Sequence, residues 1–289
     1  MKIKTAIAKK RAERRRKRLW LGGAAASVAA VILIGVIGFA GGGKDDGTLA
    51  MDDNGVRLIV SDGRNFDLLA ANASDSLLAV DNVLMKTQNG TLYIESEDTG
   101  LQEQVLSYNT LEVLRGRQYD IVLNDGTHVW LNSDSRLRFP TSFGGAERRV
   151  FVEGEPYLDV ARDEKRAFVV ELGAQTVTVL GTEFNVQAFM DQQYSVTTLL
   201  SGSLKVTSKE SNAETLLAPG QQSSLNNASG DIKVREVDIN DALAWKMNVI
   251  NLEKRTLEEI TGYLSRIYDV QFRFMDDNAR QIRYRGNVT

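Results

Sequence analysis

His128 is the only histidine in the chain, and cysteine is absent. These two counts limit the chemistry at once. No HExxH or multi-His metal site can form, and there is no thiol nucleophile, Cys-ligated zinc or disulfide framework. Proton transfer is left to His128 and to pairs of carboxylates. His128 directly follows Asp125-Gly126-Thr127, a turn signal, so it is expected beside a hairpin turn. A general base is one reading; a polar residue facing outward from a strand is the simpler one. Glu153 and Glu155 flank Gly154. At i and i+2 on a strand they share one face, which suggests the paired acids of a glycosidase or, more simply, a solvated or ion-paired face. Trp130 and Trp245 read as packing residues rather than as a sugar platform. The sequence has no phosphate loop, nucleotide fingerprint or nucleic-acid module, and no direct nucleic-acid binding is expected.

The elements that must position these residues are mostly strands. Between about residues 48 and 236 there is almost no helical period. Short alternating runs are broken by Asn54-Gly55, Asp62-Gly63, Asn89-Gly90, Asp125-Gly126, Pro219-Gly220 and Ser229-Gly230. Val56, Leu58 and Val60 alternate with other residues, as do Leu92 and Ile94, Val177 and Val179, and Phe184, Val186 and Ala188. Val196, Thr198 and Leu200 continue the pattern into Leu204 and Val206. Period-2 runs at this spacing predict an all-β domain with one face buried, without separating a sandwich, a barrel and a β-helix.

The pattern changes at Asp241. Thr256 opens a helix with Glu259 three residues on, the capping-box spacing. Leu257, Ile260, Leu264 and Ile267 form its apolar stripe, and Asp269 ends it. Residues 248–252, 270–274 (Val270, Phe272, Phe274) and the stretch from Ile282 to Tyr284 read as strands. This is a small α+β unit, expected to be incomplete at Thr289.

Length and composition set the frame. The chain has 289 residues, 43% apolar and 25% charged, an ordinary globular balance that excludes a disordered chain and a polytopic transporter. The net charge of −3 hides a sorting along the chain. Residues 1–18 carry ten Lys/Arg against Glu13, whereas the remainder carries 25 basic and 37 acidic residues. Residues 19–40 hold no charge. As a helix they reach roughly 33 Å, enough for a hydrocarbon core of about 30 Å. Arg15, Arg16, Lys17 and Arg18 stand directly before this span, and Trp20 sits at its edge, where an indole favours the membrane interface. The positive-inside rule then leaves the N-terminus in the cytoplasm and exports the rest. A cleaved signal peptide is the competing reading, but the apolar stretch is long for one.

Three segments carry a resemblance: NDGTHVWLNSDSRLRFPTSF from Asn124, RRVFVEGEPYLDVARD from Arg148 and VLGTEFNVQAF from Val179. The chain resembles the FecR family of membrane-anchored anti-sigma factors in its Bacteroidetes-type form. The resemblance implies a basic cytoplasmic tail (1–18), a transmembrane helix (19–40) and a periplasmic linker and β region (41–108). After these come a FecR-type, β-helix-like domain (109–236) and a secretin/TonB short N-terminal-like α+β domain (237–289). The fold class is then mainly β, with a single transmembrane helix and no cofactor or metal. Implied partners are an ECF-type sigma factor in the cytoplasm and the signalling domain of an outer-membrane TonB-dependent transporter in the periplasm. Site proteases and the inner-membrane bilayer complete the set. The resemblance also marks Gly181-Thr182 as a self-cleavage bond: the Thr182 hydroxyl attacks the Gly181 carbonyl, the peptide C–N bond breaks as an ester forms and the Thr182 amine is freed, and water hydrolyses the ester. The other reading of that pair is a bend between two strands. A signal-anchored periplasmic glycan-binding protein or envelope enzyme is the alternative function, and the sequence offers no acid cluster to support it.

Overall fold

The computed structural model describes residues 55–70, 77–80, 83–96, 107–247, 249–251, 255–284 and 287–288. The apolar span, the basic run and Trp20 lie outside these residues. Among the described residues no helix is long and apolar enough to cross a membrane.

Two large sheets are built by a chain that moves back and forth between them. The first sheet opens with β1 (Val56–Ile59) and β2 (Asn65–Asp67), the second with β3 (Leu77–Val80), β4 (Val83–Gln88) and β5 (Thr91–Ser96). β6 (Tyr108–Val113) returns to the first, and β7 (Tyr119–Val122) and β8 (His128–Leu131) to the second. β9 (Ser135–Pro140) and β10 (Glu147–Glu153) join the first, and β11 (Pro156–Asp159) the second. β12 (Ala167–Glu171) and β13 (Gln175–Val179) are followed across by β14 (Glu183–Gln187) and β15 (Tyr194–Ser201). β16 (Leu204–Ser208) and β17 (Glu214–Leu217) end the first sheet; β18 (Gln221–Asn226) and β19 (Ile232–Glu236) end the second. Strands from residues 56–96 therefore lie in the same sheets as those from 108–236.

Apart from β2, which pairs on the outer side of β1, each sheet grows in chain order, as the coils of a β-helix do. The pairing differs from the β-helix expectation. Only β5 with β7 and β10 with β12 pair in parallel among the described strands. Four of the turn dipeptides explain why: Asp62-Gly63, Asn89-Gly90, Asp125-Gly126 and Ser229-Gly230 reverse the chain within a sheet, which makes antiparallel neighbours. At Asn89-Gly90 both residues have positive φ, 53° and 83°, so Gln88 faces Thr91 across a two-residue hairpin.

One apolar core lies between the sheets. The alternating residues Val56, Leu58, Val60, Leu92, Ile94, Val177, Val179, Phe184 and Val186 all enter it, as their period requires. β15 departs from the expected alternation. Ser195, Thr197 and Leu199 are buried, as is Thr198 of the expected set, whereas Val196 and Leu200 are only half-buried. Hydrogen bonds make the polar choice tolerable: Ser195 Oγ donates to Asn227 Oδ1 at 2.7 Å, and Gln175 Nε2 donates to Thr197 Oγ1 at 3.1 Å. A register shift between Glu183 and Phe184 accompanies the change of phase.

A buried ion pair ties two loops at one end. Arg148, 1% exposed, donates to Asp125 Oδ2 at 2.8 Å and to the Ala161 carbonyl at 2.7 Å; its Nε and Nη2 reach the Arg166 carbonyl. Asp125 also accepts from the Thr127 amide and hydroxyl, which closes the turn before β8.

Beyond β19 come α1 (Ile239–Leu243), capped by Asp238, and a 3-10 turn (Ala244–Met247). β20 (Ile250–Asn251) pairs antiparallel with β21 (Asn287–Val288). Between them α2 (Leu257–Tyr268) starts with the expected capping box: Thr256 Oγ1 accepts from the Glu259 amide, and Glu259 returns a bond from the Thr256 amide. Asp269 stops it in the left-handed region at φ 50°. The strands expected around Phe272 and Ile282 are not formed. Residues 270–274 form no ladder, and Phe272 is exposed. Arg283 forms an isolated bridge with Thr256, outside any strand. Alternation fixes an extended backbone, but a strand also needs a neighbour to accept its hydrogen bonds.

Candidate functional site

The second sheet brings His128 and Trp130 of β8 beside Tyr157 and Asp159 of β11. In register, Trp130 faces Tyr157 and His128 faces Asp159. Asp120 of β7 lies opposite Trp130, and Glu183 of β14 opposite Asp159. Residues two apart on a strand point the same way, so these six side chains form a grid on the outer face. His128 stacks on Trp130 with ring centres 3.6 Å apart and bonds Asp120 through Nε2 at 2.7 Å. Asp120 also accepts from Thr91 Oγ1 at 2.8 Å. Tyr157 Oη donates to Glu183 at 3.0 Å. Burial and that carboxylate together push the Tyr157 phenol well above its ordinary range.

Lys246, from the 3-10 turn, closes the grid. Its Nζ lies 3.5 Å from the Trp130 ring centre and 3.8 Å from that of Tyr157. Burial lowers the Lys246 ammonium below its usual range, and Asp120, Asp159 and Glu183 oppose that shift. His128 is thus a paired, outward residue of a strand, as its position after the turn suggests. Trp130 is capped by His128 and Lys246 and Trp245 is buried, so neither offers an open ring face to a sugar.

Beside the grid lies a buried polar seam. Glu155 is 2% exposed and accepts from Gln187 Nε2 at 2.7 Å, Asn132 Nδ2 at 2.9 Å and Asn185 Nδ2 at 3.4 Å. Trp245 Nε1 donates to Asn185 Oδ1 at 3.0 Å, and Gln118 spans Asn132 and the Trp245 carbonyl. The expectation that Glu153 and Glu155 share a face is therefore corrected. Glu153 ends β10 of the first sheet, half-exposed beside Arg136, and Glu155 enters the seam under the second. Gly154 separates them at φ 96°, and a Cβ there would lie 2.3 Å from Ser135 Oγ. Only glycine tolerates both the angle and the approach.

Burial raises the Glu155 carboxyl pKa, against the pull of its three amide donors and of the Arg255 charge. A raised folded pKa contributes stability below the ordinary glutamate value, and that stability is lost as pH rises through the folded value. Glu155→Gln removes the slope. Between pH 4 and pH 8 the stability difference should move in favour of the Gln variant. Urea titrations of both proteins at the two pH values measure this, and a constant difference would refute it.

Helix α2 has its own fastening. Arg266, 8% exposed, places Nη2 2.6 Å from both carboxylate oxygens of Asp191, and its guanidinium lies over Phe189 at 4.0 Å. The Gly116 amide donates to the Arg266 carbonyl at 2.8 Å. Of the apolar stripe, Ile260 is buried and Leu257, Leu264 and Ile267 are half-buried.

Gly181 and Thr182 join β13 to β14. A Cβ on Gly181 would meet the Arg162 Cα and Cβ at 2.7 Å, so packing alone requires glycine there. Thr182, 4% exposed, donates its hydroxyl to the Ser203 carbonyl at 3.0 Å, an acceptor that cannot remove the proton. This geometry accounts for the pair as a bend. Arg15, Arg16, Lys17, Arg18 and Trp20 lie outside the described residues. Among the described residues no three His, Asp or Glu side chains group as a metal site. The arrangement is a docking surface: an aromatic and acidic grid, a buried polar seam and an arginine clamp hold the 3-10 turn and α2 against the sheet domain through Trp245, Lys246 and Arg266. The sequence shows Trp130, His128, Glu155 and Trp245 singly, but not Asn132, Asn185, Gln187, Lys246, Asp191 or Arg266. Asn185 and Gln187 stand at the outward phase of Glu183, so alternation reads them as solvent-facing, and Lys246, Asp191 and Arg266 lie outside the strands.

The description "FecR protein" matches residues 109–205, and "FecR, C-terminal" matches residues 249–289. The chain belongs to the FecR family. Its two matched regions are the sheet domain that carries the grid and the unit that docks on it. Two crystal structures of a candidate anti-sigma factor from Parabacteroides distasonis, at 1.65 and 2.50 Å, are similar to this FecR-family chain. Each has 29% sequence identity and a TM-score of 0.58, covering 62% of this chain and 84% of the other. No curated protein matches it.

Proposed function

We propose that the chain is a single-pass anti-sigma regulator of the inner membrane. Residues 1–18 remain in the cytoplasm, where they contribute to holding an ECF-type sigma factor, residues 19–40 cross the bilayer, and the sheets lie in the periplasm. The signalling domain of an outer-membrane TonB-dependent transporter engages the C-terminal α+β unit, which acts as a secretin/TonB short N-terminal-like module. Site proteases then act on the chain and free the sigma factor.

The observation that carries this reading is the way the FecR C-terminal region is held. A relay needs a contact that can be exchanged. The Glu155 seam and the Arg266–Asp191 clamp are polar, so a partner or water can replace their bonds at modest net cost. The charge sorting around residues 19–40 and the likeness to a candidate anti-sigma factor support the same reading.

Two measurements on the full chain test it. An ECF-type sigma factor co-expressed with the chain should co-purify in detergent, and the transporter's signalling domain should reduce its recovery when the proteases are present. Alkaline phosphatase fused after Ala40 should be active, and a cytoplasmic reporter at the same point should be silent. A silent phosphatase would remove the membrane relay; loss of sigma-factor binding with correct topology would remove the anti-sigma role alone.

A further inference from the structure

The grid on the second sheet has the composition of a receptor for an alkylammonium group. Two aromatic rings, Trp130 and Tyr157, face one cationic nitrogen at 3.5 and 3.8 Å. His128 braces the indole from its stacking position, and Tyr157 is braced by Glu183. Asp120, Asp159 and Glu183 surround the pair, three acids against the single charge of Lys246. A cation beside such rings is attracted by their quadrupoles, more strongly as water is excluded. The positions are fixed by strand register rather than by a loop, so the cage persists whether or not Lys246 is in it.

We infer that this cage is a binding site for the lysine side chain of a protein partner, occupied in cis by Lys246 until a lysine offered in trans displaces it. The occupant arrives on a short 3-10 turn next to Trp245, so displacement would loosen the same segment that seals the Glu155 seam. Lysine capture at this surface depends on neither the membrane topology nor the sigma factor.

The test uses the full chain in detergent micelles. The Trp130 indole N–H resonance, assigned with Trp130→Phe, reports the cage. In Lys246→Ala, Nα-acetyl-lysine amide and n-butylammonium should both give saturable shifts, with a Kd about tenfold or more below that of wild type. Tyr157→Ala added to Lys246→Ala should abolish saturation. A Lys246→Ala protein with no saturable shift overturns the site, as does equal binding without Tyr157. Saturation by n-butylammonium but not by the acetylated lysine amide overturns the protein lysine as the ligand and leaves a free-amine site. Wild type supplies an independent reading should the variants misfold. Excess Nα-acetyl-lysine amide should speed hydrogen exchange at Val249, whose amide bonds the Ala244 carbonyl, several-fold more than the norleucine analogue does. Equal exchange with the two compounds overturns the displacement.

Discussion

Asp125→Ala should cost the fold about 3–5 kcal/mol, because it leaves the Arg148 charge buried without its carboxylate. The guanidinium lies under the second-sheet turn, between the Ala161 and Arg166 carbonyls and over the Phe168 ring. Those carbonyls solvate the charge but do not neutralise it. The turn before β8 weakens as well, since Asp125 accepts from both the amide and the hydroxyl of Thr127. Arg148→Met alone should also destabilise strongly. The double variant should be much less affected than the sum of the two, because it removes both charges from an apolar setting. Equilibrium urea unfolding of the four proteins closes the cycle, and simple additivity would mean that the two side chains act separately. Arg162–Glu164 is the control. Its side chains are 77% and 69% exposed, and removing either should change nothing measurable.

Trp245→Ala should be comparable, about 3–5 kcal/mol, but its effect should be local in origin. The indole is 4% exposed and is the one large apolar side chain that the 3-10 turn inserts beside β14. Its loss opens a cavity and leaves Asn185 Oδ1 without its donor, which in turn weakens the hold on Glu155. Hydrogen exchange should therefore rise across α2 while β12, β13 and β16 stay protected. Trp245→Phe keeps most of the packing and loses the bond, for about 1–2 kcal/mol. If α2 keeps its protection in the Ala variant, the segment is held elsewhere, and the Arg266 clamp becomes the principal fastening.

How much of this was legible in the sequence follows from how far apart the deciding residues stand. The Thr256–Glu259 capping box, the stop at Asp269 and the hairpin at Asn89-Gly90 depend on neighbours within four residues, and each forms as its spacing predicts. The phase of β15 does not, because Ser195 and Thr197 are admitted to the interior by Asn227 and Gln175. The stretch around Phe272 shows the same limit from the other side: its residues alternate in type, and no described neighbour pairs with it in a ladder. Glu153 and Glu155 look equivalent until Gly154, at φ 96°, turns the chain from one sheet to the other. The grid was the least accessible. Asp120, Trp130, Tyr157 and Glu183 span more than sixty positions and meet only through the register of four strands.

The in-order growth of both sheets has a mechanical consequence. Each newly made strand finds its neighbour already in place, so the domain can be assembled from one end as the polypeptide emerges. Traction on the last residues would meet the same sequence backwards. The outermost ribbons, β19 with β18 and then β17 with β16, would unzip first, and the rows nearest the N-terminal side would yield last. A protein laid out in this way converts the strength of a tug into a length of released chain.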